Sequence, residues 1–280
     1  MMRRFFAHPS LAIGLLATLI FFAIGLVSLV WTPYPIADID IPRRFLGPSP
    51  EHWLGTDNLG RDLLSLVMAG TWTSFLVAAI SVVIGAGIGV PMGLAAASWG
   101  GPVEWLVLRL SDFIFAFPAV IVAILITTLI GPGAVNAIVA IGIFNIPVFA
   151  RVARGGALSI ATLDFVAAGR LAGLGNAGIA WRHLLPNIMS LLIVQGTIQL
   201  SLGILAEAGL SYIGLGTQPP DTSLGLMLRD AQGLFLLHPW LTLVPGMAIV
   251  LIVIALNIAG DGLRDALDPR LRQGNANVLA

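Results

Sequence analysis

Asp164-Phe-Val-Ala-Ala-Gly-Arg-Leu-Ala-Gly-Leu-Gly-Asn-Ala-Gly-Ile-Ala-Trp-Arg-His-Leu-Leu-Pro-Asn187 is the stretch on which the fold turns, because it is polar and glycine-broken between two long apolar runs. Asp164 suits the first turn of a short helix, with Ser159 or Thr162 as its candidate cap. Gly173 and Gly175 then break that helix. A second short helix is expected to run to His183, and Pro186 opens a further helix where proline is accepted. The stretch therefore reads as a helix–turn–helix at a membrane surface. Its small residues Ala167, Ala168 and Gly169 permit close approach by another body. On spacing alone an ordinary interfacial hairpin is the alternative.

The runs on either side set the solvent. Hydrophobic residues make up 58% of the 280 residues and charged ones 10%, against roughly 25% charge in a soluble domain. A membrane-spanning helix needs about 20 mostly apolar residues. Six runs qualify: Leu11–Trp31, Ser74–Ala97, Phe113–Ile130, Ala134–Ala150, Ile188–Tyr212 and Leu241–Ala259. Gly131-Pro132-Gly133 reads as a tight turn between the third and fourth. The first run is longer than a signal peptide's apolar region and ends in Trp31-Thr32-Pro33, which favours a retained anchor. The expectation is an all-α integral membrane protein with six transmembrane helices.

Arginine bias orients it. With the N-terminus inside, Arg3, Arg4, Arg109, Arg151, Arg154, Arg170, Arg182, Arg264, Arg270 and Arg272 face the cytoplasm, against Arg43, Arg44, Arg61 and Arg229 outside. Both termini and the 151–187 loop then lie in the cytoplasm, while residues 32–73 and 213–240 lie outside. The organisation expected is an anchor with an external segment at 1–73, a transmembrane domain at 74–260 and a cytoplasmic tail at 261–280.

Net charge is zero, there is no cysteine and all 14 basic residues are arginine. No basic patch points to nucleic acid and no thiolate metal site is possible. Without lysine there is no phosphate-binding loop of the Gly-x-x-x-x-Gly-Lys type. His52, His183 and His238 fall on different segments and do not form a metal site. No span holds the facing aspartates or the Ser–His pair that an intramembrane protease requires. No repeated halves with broken helices suggest a secondary transporter.

Inside the spans, two patterns stand out. Ser81, Gly85, Gly89, Gly93 and Ala97 recur every four residues, a ribbon that admits a close helix neighbour. Packing within the chain is its expected use and contact with a partner subunit the alternative; Pro91 is expected to kink the helix. Gln195, Gln199, Gly203 and Glu207 form a drifting polar or small face on the fifth span. Gln195, Gln199 and Glu207 are candidates for a substrate path, with helix–helix hydrogen bonding as the alternative.

The 164–187 stretch resembles the "EAA loop" of permease subunits of ATP-binding-cassette (ABC) importers. Ala167-Ala168-Gly169 stands in the Glu-Ala-Ala place, Gly173 is the motif glycine, and Arg182-His183-Leu184-Leu185-Pro186-Asn187 resembles the ending usual in the dipeptide, oligopeptide and nickel branch. His52–Asp62, Ala206–Pro220 and Gly260–Arg270 resemble further stretches of that branch. The resemblance implies the type I permease fold with a cytoplasmic coupling loop, in the second, shorter permease of a pair. It implies as partners a second permease, two ATPases that hold ATP and Mg, and an external binding protein, with no cofactor on this chain and no enzymatic activity of its own. Ala167, Ala168, Gly169, Arg170, Gly173, Arg182, His183, Leu185 and Pro186 would form the ATPase-coupling site. The family's glutamate is Ala167 here, which puts that one contact in doubt.

Overall fold

The structure is a computed structural model, and it describes residues 9–267. Among the described residues there are ten α-helices: α1 (Pro9–Val27), α2 (Leu63–Trp99), α3 (Gly101–Phe115), α4 (Ala119–Ile130), α5 (Ala134–Ile160), α6 (Asp164–Leu171), α7 (Asn176–Ile179), α8 (Leu185–Tyr212), α9 (Leu224–Ala231) and α10 (Trp240–Leu267). Among the described residues there is one isolated β-bridge, Thr56 with Asp62. Of the helical stretches among the described residues, five are long and apolar enough to cross a membrane, and α3 with α4 makes a sixth if that bent pair is one span.

Several of the span boundaries move. The third span is not one helix over Phe113–Ile130. Its first arm starts at Gly101, and the two arms meet at an angle of 83°. Pro118 explains the break: it lacks an N–H and forces Phe117 out of the helical region. The first helix stops at Val27 rather than Trp31. The second is longer than expected because it already starts at Leu63, capped by Asp62, and the fourth because nothing ends it until Ala161. At 1.5 Å per residue, the 37 residues of α2 outrun a hydrocarbon core about 30 Å thick. α2 also continues as one helix through Pro91.

The small-residue ribbon is the seam between α2 and α5. A Cβ on Gly85 would collide with Asn145, one on Gly89 with the Ile146 carbonyl, and one on Gly93 with the Ala150 carbonyl. Ser81 donates to the Ile138 carbonyl at 3.2 Å across the same seam. In lipid there is little hydrophobic drive between helices, so close backbone packing and such hydrogen bonds hold them together. The ribbon therefore packs within the chain, as expected.

The remaining helices wrap this pair. α1 lies on α10, with Gly14 against the Ala259 backbone and Gly262 against Leu11. Ala78 and Phe75 of α2, Ile204 and Ala208 of α8, Leu224 and Met227 of α9 and Ile252 of α10 share one buried cluster. At one end, Arg151 pairs with Asp112 at 2.6 Å and Arg154 with Glu104, which pins α3 to α5. At the other end the two long connections meet: His238 stacks on Phe45 with centroids 4.2 Å apart, and Arg61 reaches Asp230 at 3.7 Å. Burial pushes the Asp230 carboxyl above its ordinary range, against the pull of Arg61.

The seam carries a direct expectation. Gly89→Val places two methyl groups against the α5 backbone and should cost at least the roughly 1–3 kcal/mol of an overpacked core. Gly87, one turn position away, has open space around its Cβ direction, so Gly87→Ala should be silent. Thermal unfolding and yield of the detergent-purified protein should separate the two.

Candidate functional site

The helix–turn–helix is present, with its details altered. α6 begins after Leu163, which offers no side-chain cap; Ser159 instead turns back to the Gly156 carbonyl at 2.7 Å. Neither Ser159 nor Thr162 caps it, because the helix starts too late for either. Asp164 does sit in its first turn. Gly173 takes φ +85°, the left-handed conformation that ends a helix cheaply only for glycine.

The second arm is not a separate short helix. α7 passes through a π-helical turn at Ala180–Leu184 straight into α8. Proline is the physical reason. Pro186 has no N–H for the Arg182 carbonyl, and its ring would crowd that carbonyl in a regular α-turn. The wider turn relieves the crowding, Leu185 N–H bonds back to the Ala180 carbonyl, and Asn187 Nδ2 donates to the His183 carbonyl at 2.7 Å. Leu-Pro-Asn is thus a device for bending the arm without breaking it.

The coupling candidates divide by exposure. Gly169 is buried because the His183 ring lies under it: a Cβ there would stand 3.0 Å from Nε2. Val166, Ile179 and Leu184 are fully buried with Val90 and Leu94 of α2 and Phe149 of α5. Ala167, Ala168, Arg170, Gly173, Arg182 and Pro186 are exposed, and Leu185 is half-buried. The outward face also carries Leu171, 90% exposed, and Trp181, 55% exposed. Sequence reasoning missed these two, since in an apolar chain an apolar residue carries no signal of exposure.

Of the substrate-path candidates, Gln195 Nε2 donates to Gln199 Oε1 at 3.4 Å, while the partners of Glu207 lie elsewhere. Glu207 is fully buried. Its carboxylate accepts from Ser74 of α2 at 2.7 Å, Ser211 at 2.6 Å and Thr217 at 3.3 Å. Ser211 Oγ in turn accepts from the Thr217 N–H at 3.0 Å. This knot ties α8 to α2 and to the connection that follows. Gln199 does face a cavity of 670 Å³ between the α3–α4 pair, α5 and α8, whereas Glu207 and Gln195 do not line it. Gln199 Nε2 donates to Asn145 Oδ1 at 2.7 Å. Asn145 was legible as a polar residue in a predicted span, and the same reasoning that singled out Glu207 would have found it.

His52 is tied into the start of α2. His52 Nδ1 lies 3.0 Å from Asp62, whose other oxygen caps α2 by accepting from the Ser65 N–H at 2.8 Å. Asp57 closes the preceding turn by accepting from Leu59 N–H and Arg61 N–H, each at 2.8 Å. Among the described residues no group of three His, Cys, Asp or Glu could hold a metal.

A model of the family described as "Binding-protein-dependent transport system inner membrane component" matches residues 89–273, which include the whole helix–turn–helix. The chain belongs to that family. It is 39% identical over 272 residues to the glutathione transport system permease protein GsiD of Pectobacterium atrosepticum, covering 96% of this chain and 90% of that protein. It is 36% identical over 260 residues to the dipeptide transport system permease protein DppC of Alkalihalophilus pseudofirmus, covering 93% and 86%. A chain of the MetNI methionine ABC transporter, solved in inward-facing conformations, superposes with a TM-score of 0.59 at 21% identity, covering 72% of this chain and 97% of that one. The protein is thus a multi-pass inner-membrane permease subunit of an ABC importer, and the fold expected from the 164–187 stretch is the fold found.

The Glu207 knot separates packing from passage. Glu207→Ala leaves three hydroxyl partners without their acceptor and should cost about 1–3 kcal/mol, seen as lower yield of folded protein. Glu207→Gln keeps an acceptor oxygen and should retain yield and transport. Loss of transport at full yield in Glu207→Gln would return this residue to the path.

Proposed function

We propose that this subunit imports short peptides by alternating access, driven by ATPases on other chains. The observation that supports this reading is the construction of the coupling arm. Its outward face is exposed, while its inward face is fused to the α2–α5 seam through Val166, Ile179 and Leu184. A push on α6 therefore moves the seam, and α5 carries part of the cavity wall. Packed interfaces of this kind switch between discrete arrangements rather than deform. The peptide class follows from relatives that carry glutathione and dipeptides along nearly the whole length of this chain.

In this reading two ATPases hold ATP and Mg, a second permease completes the path, and an external binding protein delivers the substrate. This chain contributes no catalytic residue and binds no cofactor. Leu171, next to Arg170, seats in the ATPase. Apolar contact supplies what Ala167 cannot, since it lacks the family's carboxylate. Both termini and the 151–187 loop are cytoplasmic, and residues 32–73 and 213–240 are outside. The ion pairs of Arg109, Arg151 and Arg154 gather at the cytoplasmic end on this orientation.

Two measurements test this. The chain has no cysteine, so Arg170→Cys should react with an impermeant maleimide only from the cytoplasm and Trp53→Cys only from outside. The opposite pattern would invert the topology. In proteoliposomes holding the whole complex, ATP should drive dipeptide accumulation. Leu171→Asp should insert normally yet lower that uptake about tenfold or more, the effect of placing a charge in an apolar contact. Unchanged uptake would remove the coupling role from this face.

A further inference from the structure

The 670 Å³ cavity lies in the size range of small-molecule sites, and such sites pair apolar walls with a few placed polar groups. Its lining side chains include no Asp, Glu, Arg or His. The amides of Asn145 and Gln199 and the Tyr212 hydroxyl are the polar side chains in an otherwise apolar wall. Both amides are more than nine-tenths buried, at 4% and 7% exposure. Placing them at membrane depth is costly unless their hydrogen bonds are made.

Those bonds are only partly made. Gln199 Nε2 donates to Asn145 Oδ1 at 2.7 Å, and Gln195 Nε2 lies 3.4 Å from Gln199 Oε1. Asn145 Nδ2 is buried with no hydrogen-bond partner among the described residues. Its position is fixed from behind, because its Cβ sits in the space left by Gly85 on α2. A pair needed only to join α5 to α8 is complete with the one bond between its members. The spare donor is surplus to that role and stands beside the cavity.

We propose that Asn145 and Gln199 form a contact for the peptide-bond amide of the passing substrate, with Asn145 Nδ2 donating to a substrate carbonyl. This rests on the peptide-importer reading and sharpens it. A side-chain amide can offer both a donor and an acceptor, which is the complement of a backbone amide. The same wall is a poor path for a bare divalent cation, since it supplies neither imidazole nor carboxylate. Within a class of importers that spans peptides and nickel, this wall selects for neutral amide-bearing solutes. Asn145 and Gln199 are positioning and specificity residues here, and they take part in no chemistry.

The test uses the full complex in proteoliposomes with dialanine and nickel(II) as probes. Val148 lines the cavity, so Val148→Cys gives this chain one reporter thiol. Dialanine should slow maleimide labelling of that thiol, and nickel(II) should not. Asn145→Ala should abolish the protection and raise the KM for dialanine uptake about five- to tenfold, the effect of one lost hydrogen bond, with maximal uptake per assembled complex preserved. Gln199→Met, which keeps length without the amide, gives the same readout if Asn145→Ala does not assemble. Dialanine uptake with protection and KM unchanged in both variants would overturn this inference and leave the importer reading standing. Protection by nickel(II) would also overturn it. Absence of dialanine uptake by the unmodified complex would overturn the peptide reading and this inference with it.

Discussion

Everything in this subunit depends on two helices touching backbone to backbone. Gly85, Gly89 and Gly93 of α2 leave no room for a Cβ against α5. In a lipid solvent that contact is what water-driven burial would be in a soluble protein. It places Asn145 at the cavity wall, aligns Phe149 and Ala153 under the coupling arm, and fixes the ends where α3 is pinned by ion pairs. Loosening the seam would detach the arm that receives motion from the wall that uses it.

The coupling arm shows how a short motif is built for stiffness. Its glycine at position 169 exists for the His183 ring, its glycine at 173 for a left-handed turn, and its proline for a widened turn that keeps α7 and α8 continuous. The motifs at the other end work in the same way. His52, Asp62 and Ser65 cap α2, while Glu207 ties α8 to α2 through Ser74 and to the following connection through Thr217. The stretches that resemble the family's motifs thus turn out here to be rigid joints.

Much of this was legible before the structure. The apolar runs marked the membrane helices because bilayer thickness sets their length, and the four-residue ribbon marked the seam because only small residues allow it. The helix–turn–helix was readable from Gly173 and Gly175. The bend in the third span was less so, since Pro118 sits inside an unbroken apolar run where composition gives no warning. Glu207 marks a limit of such reading: a lone acid in a span satisfies the same sequence rule whether it faces a path or a ring of hydroxyls, and its bond to Ser74, 133 residues away, is not written in the local sequence. The exposed Leu171 was hidden by its own apolarity.

The central claim is that the coupling arm and the α2–α5 seam move as one body. It is tested most directly by pulsed electron spin resonance distances between labels at Gly175→Cys on the arm and Val83→Cys on α2, in the full complex with and without ATP. Gly175 has open space around it and Val83 is 68% exposed, so both should accept a label. The account expects a single distance that nucleotide does not alter, while transport continues. A distance that shifts by several ångströms on ATP binding would mean that the arm flexes on its own, and would contradict it.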